Sequence, residues 1–87
     1  MLYNLCFDVV NISNGSRRFF NKLVMIKKAR GRAGYLVKWD FGDALQNRSN
    51  KARFISAEDP RAAVAAFVQD ELYFAEVEIT AFNKVAF

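Results

Sequence analysis

The sequence predicts an α+β domain in which four β-strands precede one α-helix and a last strand closes the sheet, the order ββββαβ. Three observations carry that expectation. Apolar and polar residues alternate near both ends of the chain, the period of a half-buried strand. Asp59-Pro60 opens a segment in which apolar residues recur at helical spacing. Glycine-bearing stretches, Asn14-Gly15 and Gly31 to Gly34, punctuate the β-patterned runs. The expected product is one domain over residues 1–87, an antiparallel sheet of four to five strands with the helix packed on one face. One helix covers one face only, so the other is solvated or used for binding, and some aromatic residues are expected there.

Over residues 2–12, Tyr3, Leu5, Phe7 and Val9 fall on one face and Asn4, Cys6 and Asp8 on the other, a first strand. Ser13-Asn14-Gly15-Ser16 follows as a hairpin turn. Residues 18–28 carry Phe19, Phe20, Leu23, Val24, Met25 and Ile26; the alternation is poor, and a bulge is expected in this second strand. Tyr35, Val37, Trp39 and Phe41 alternate with Leu36, Lys38 and Asp40 in a third. A polar loop over 42–50 leads to a short fourth strand over 51–57, with Lys51, Arg53 and Ile55 on one face. Asp59 suits a helix N-cap and Pro60 the first helical position, where its missing N–H costs nothing. Val64, Phe67, Val68 and Leu72 form the apolar stripe, and alanines at 62, 63, 65 and 66 let the helix lie close to the sheet. Residues 73–87 return to alternation, with Tyr73, Ala75, Val77, Ile79 and Ala81 set against Glu76, Glu78 and Thr80.

Composition narrows the chemistry. The 87 residues are 53% hydrophobic and include nine Phe, three Tyr and one Trp, enough for a core without cross-links and too apolar for a disordered chain. No histidine is present, which removes imidazole acid–base catalysis, His metal ligation and an imidazole pH switch. Cys6 is the lone cysteine, so neither an intrachain disulfide nor a thiolate metal site can form; a small buried hydrophobe is the expected role. No nucleophile–His pair, phosphate-binding loop or dinucleotide fingerprint occurs. Glu76 and Glu78 share a strand face and could hold a divalent cation, though exposed strands commonly carry such acids. Asp40 and Asp43 flank Gly42 as a second carboxylate pair of the kind loops often contain. The expectation is a protein without catalytic residues, cofactor or metal. With no continuous apolar segment for a signal or a span, it is expected to be soluble and cytoplasmic, without membrane partners.

Charge is segregated along the chain. Residues 17–53 hold eleven of the thirteen basic residues against Asp40 and Asp43, a net +9, while residues 54–87 carry a net −4. Such asymmetry steers a polyanionic partner toward one side if the cations share a face, and is plain solubilising charge if they do not. Lys27, Lys28, Arg30 and Arg32 crowd a glycine-punctuated connection and form the best candidate contact surface, since each phosphate or carboxylate neutralised releases counterions. Arg17, Arg18, Lys51 and Arg53, with Arg48 and Lys22, are candidates to extend it. Tyr35 and Trp39 add base stacking if they face outward and core if they do not. The RNA-recognition signature and a helix-turn-helix are absent. An acidic protein surface suits the same cations, and a long strand over 73–87 at a sheet edge would be open to pairing with another chain.

The run Ile55-Ser56-Ala57-Glu58-Asp59-Pro60-Arg61-Ala62-Ala63, with Phe67 and a closing strand bearing Val77 and Ile79, resembles small phage-encoded inhibitors of the anti-CRISPR and host-polymerase-inhibitor kind. The resemblance is one of architecture, over about the last third of the chain. It implies a non-enzymatic protein that occludes a host protein or nucleoprotein complex from within the host cytoplasm. Many such inhibitors are acidic mimics of DNA. This chain is basic, which points instead to blocking an acidic or RNA-containing surface, with direct nucleic-acid binding as the alternative.

Overall fold

The computed structural model describes residues 1–40 and 51–85. Five strands, β1 (Leu2–Val10), β2 (Arg17–Lys28), β3 (Tyr35–Trp39), β4 (Arg53–Ile55) and β5 (Glu76–Lys84), form one antiparallel sheet in the order β4-β3-β2-β1-β5. The one helix among the described residues, α1 (Pro60–Glu71), lies between β4 and β5 in the chain and packs on one face. The expected α+β class and ββββαβ order are therefore observed. Phe41, Asp43, Arg48 and the loop expected over 42–50 lie outside the described residues.

Alternation decides which side chains enter the core. Leu5 and Phe7 of β1, Val24 and Ile26 of β2, and Val37 and Trp39 of β3 point toward α1, which answers with Ala63, Val64, Phe67, Val68 and Leu72. The Trp39 ring sits between Phe67 at 5.0 Å and Phe7 at 6.2 Å, in tilted geometry. Its indole N–H donates to Glu71 Oε1 at 3.0 Å, so the one polar atom of this buried ring is satisfied. Tyr35 is half-buried on the same side, and its hydroxyl donates to the Glu58 carbonyl at 3.5 Å. Core placement, not outward stacking, is the outcome for both aromatics.

Asp59 caps α1 as its chemistry requires. The residue is extended, and its Oδ1 accepts from the Ala62 N–H at 2.8 Å, with Pro60 at the first helical position. At the other end Gln69 fastens helix to strand. Its Nε2 donates to the Ala75 carbonyl at 2.7 Å, and its Oε1 accepts from the Val77 N–H at 3.2 Å.

Several expectations are corrected. β2 pairs with β1 in unbroken register from Arg17 to Met25, so no bulge lies there. Its alternation reads poorly because Leu23 and Met25 are half-buried on the face away from the helix, apolar on both sides of the strand. The irregularity falls between β1 and β5 instead, where Phe7 faces Ile79 and Cys6 faces Ala81. Thr80 is the extra residue, and it reverses the parity of the strand. Ala81 therefore joins the face of Glu76 and Glu78 rather than that of Val77 and Ile79. β5 is shorter than the expected 73–87, because Tyr73, Phe74 and Ala75 form the turn out of the helix. β4 is cut to Arg53–Ile55. Cys6 lies on the open face that its parity predicts, but it is half-buried between Asn21 and Ala81 rather than buried.

Candidate anion-binding hairpin

The β2–β3 hairpin gathers four of the ten candidate cations at one end of the sheet. Lys27 and Lys28 end β2, and Arg30 and Arg32 lie in the connection, where Gly31 takes φ 67° and turns the chain. The Ala29 N–H donates to the Gly34 carbonyl at 3.0 Å, closing the turn. Arg32 is held in place: its guanidinium carbon lies 3.5 Å over the centre of the Phe54 ring on β4. Lys27 pairs with Leu36 and points to the open face, while Lys28 pairs with Tyr35 and points to the helix side. The hairpin end is thus basic on both faces. All four side chains are exposed, and none joins an ion pair among the described residues.

Arg17 and Arg18 stand apart from this group. They begin β2, ten residues before Lys27 and Lys28, which on an extended strand is about 33 Å. Arg17 is neutralised on the open face by Glu78 at 2.9 Å and Asp8 at 3.4 Å. The Glu78 hydrogen bond, reinforced by the attraction of opposite charges, raises the Arg17 pKa, and Arg17 in turn holds the Glu78 carboxyl below the usual carboxylate range. Glu78 therefore favours the folded state above the ordinary carboxyl pKa, and that contribution fades as pH falls through its lowered folded value. Its engagement with Arg17 takes up one carboxylate of the Glu76–Glu78 pair. Arg18 points to the opposite face and lies 5.4 Å over Phe20.

Arg53 belongs to the fold. It reaches from β4 to the end of α1, where its Nη1 donates to Glu71 Oε2 at 2.7 Å and its Nη2 pairs with Asp70. The Asp70 hydrogen bond is the main cause raising its pKa, with Glu71 adding to it and burial opposing. Its guanidinium also lies 5.7 Å from the centre of the Phe67 ring. Lys51 is exposed just before β4 and carries further interactions of its own.

Two features escape a reading of the chain alone. Lys38 faces Met25 across β3 and β2, adding to the four hairpin cations a fifth that shares the open face with Lys27. Its alternation with Val37 and Trp39 was the available signal. At the opposite end Tyr73, Phe74, Ile12 and Phe19 are exposed apolar residues near the β1–β2 turn, a spacing that no local pattern reveals. No helix among the described residues is long and apolar enough to cross a membrane. Comparison with protein-family models, curated proteins and solved structures returns no match.

Proposed function

We propose that this chain is a non-enzymatic binding protein that lays the β2–β3 hairpin on an anionic surface of a host protein or nucleoprotein complex and blocks it by occupancy, in the manner of a phage- or mobile-element-encoded inhibitor. The observation that carries the reading is the set Lys27, Lys28, Arg30 and Arg32, four exposed cations that join no ion pair among the described residues, on one hairpin backed by a packed sheet. A rigid support lowers the ordering cost of binding, so charge on it is used well. Of the carboxylates weighed for cation chemistry, Glu78 is engaged by Arg17.

Direct contact with DNA or RNA is the second reading. Arg32 favours it, because a guanidinium fixed over an aromatic ring offers a planar surface to a splayed base. A salt-titrated binding assay on duplex DNA, single-stranded RNA and an acidic polypeptide separates the two. Tight nucleic-acid binding whose logarithmic salt slope falls by about 0.9 for each phosphate-contacting cation changed to Ala supports the second reading. Binding to the acidic polypeptide, lost in the Lys27, Lys28, Arg30 and Arg32 to Ala variant, supports the first. Indifference of every anion to that variant ends both.

A further inference from the structure

The open face of the sheet carries a groove of about 220 Å³ beside the basic hairpin. Its floor is set by strand register. Met25 of β2 lies opposite Lys38 of β3, and Lys27 of β2 lies opposite Leu36 of β3. Same-face neighbours on two paired strands thus form a checkerboard, with apolar groups on one diagonal and ammonium groups on the other. Diagonal positions on such a pair are roughly 7–8 Å apart. Ala52 closes the side toward β4, and the Lys27 and Lys38 stems line the walls with their charges outward. Neither lysine joins an ion pair among the described residues.

This combination specifies an occupant. An apolar floor gives nothing to a phosphate backbone, its thioether and aliphatic lining offers no ring for a base to stack on, and the Phe54 ring opposite Leu36 on β4 is covered by Arg32. A free carboxylate or phosphate would use the two ammonium groups and leave Met25 and Leu36 wet. An apolar side chain flanked by carboxylates uses both diagonals at once. We propose that the groove takes an acidic peptide segment of a protein partner, seating one apolar side chain between Met25 and Leu36 while carboxylates on either side of it meet Lys27 and Lys38. The inference rests on the reading that the hairpin holds an anionic partner, and it names that partner's chemistry as protein. Lys27 belongs to both surfaces, so hairpin and groove form one continuous contact.

Two short synthetic peptides of equal negative charge test it, one with Leu between glutamates and one with Ser in that place. Binding is followed by fluorescence anisotropy and by the methyl resonances of Met25 and Leu36. The Leu peptide is expected to bind about tenfold tighter or better, the worth of one buried aliphatic side chain. Leu36→Ser removes that preference. Lys38→Gln, a substitution away from the core, weakens binding of the Leu peptide, while Arg30→Ala weakens both peptides alike and leaves their ratio unchanged. Equal binding of the two peptides with unmoved methyl resonances overturns the groove and leaves the hairpin reading standing. Failure of both peptides to bind at low salt overturns the two together. An oligonucleotide that shifts the Met25 and Leu36 methyls where the peptides do not assigns the face to nucleic acid and overturns the proposal.

Discussion

Gly34 occupies a position that other residues fit poorly. A Cβ there would press on the backbone carbonyl oxygen of Ile55 and fall 2.7 Å from the Phe54 ring. Backbone cannot give way as a flexible side chain does, so Gly34→Ala forces β4 away from β3 at a cost of about 1–3 kcal/mol. Urea unfolding is expected to show a lower midpoint with an unchanged slope; an unchanged midpoint would show that β4 moves freely. The same displacement would disturb the Phe54 ring under Arg32, so the residue that holds the strands close also sets the hairpin cation. Asp59-Pro60 was legible as a helix start because a cap is local chemistry. The role of Arg53 was not, because its partners Asp70 and Glu71 lie 17 and 18 residues further along the chain.

Among the elements, α1 depends most on its ends. Its first turn contains no acidic residue, so the Asp59 side chain is the cap's principal source of stability. Asp59→Ala is expected to lower stability by about 1 kcal/mol. Asp59→Asn, which keeps the accepting oxygen, should restore most of it, as read by the thermal midpoint in circular dichroism; equal losses in both variants would assign the effect to charge alone. β5 shows the limit of reading strands by period two. Residues 76–79 and 81–84 each alternate correctly, but Thr80 shifts the phase between them, and only pairing with β1 reveals which half carries the error. As one of the two edge strands of this sheet, β5 is also where a bulge works against pairing with a further strand.

At the scale of the whole molecule, β2 joins two half-sheets. Its residues 17–25 pair with β1, and 24–28 pair with β3, so the molecule is elongated at 43 × 26 × 23 Å. The Phe7–Trp39–Phe67 contacts link the two halves through the helix. Unfolding is therefore expected to be a single transition. Emission from Trp39, the one tryptophan, should shift to the red at the same denaturant concentration at which the far-ultraviolet signal is lost. Separate midpoints would show that the β3–β4 half melts by itself. This length also keeps the hairpin cations remote from the exposed Tyr73 and Phe74 near the β1–β2 turn.

What the sequence by itself determined is whatever depends on near neighbours: strand alternation, the Asp59 cap, the apolar stripe of α1, and the crowding of four cations in one turn. These need only a few residues of chain to be expressed. Tertiary structure decided how the other cations were used. It set Arg17 against Asp8 and Glu78, turned Arg53 onto the helix, and put Lys38 beside Lys27 across a strand pair. Charge acts through space, and the spacing between distant residues is set only when strand register and helix packing bring them together.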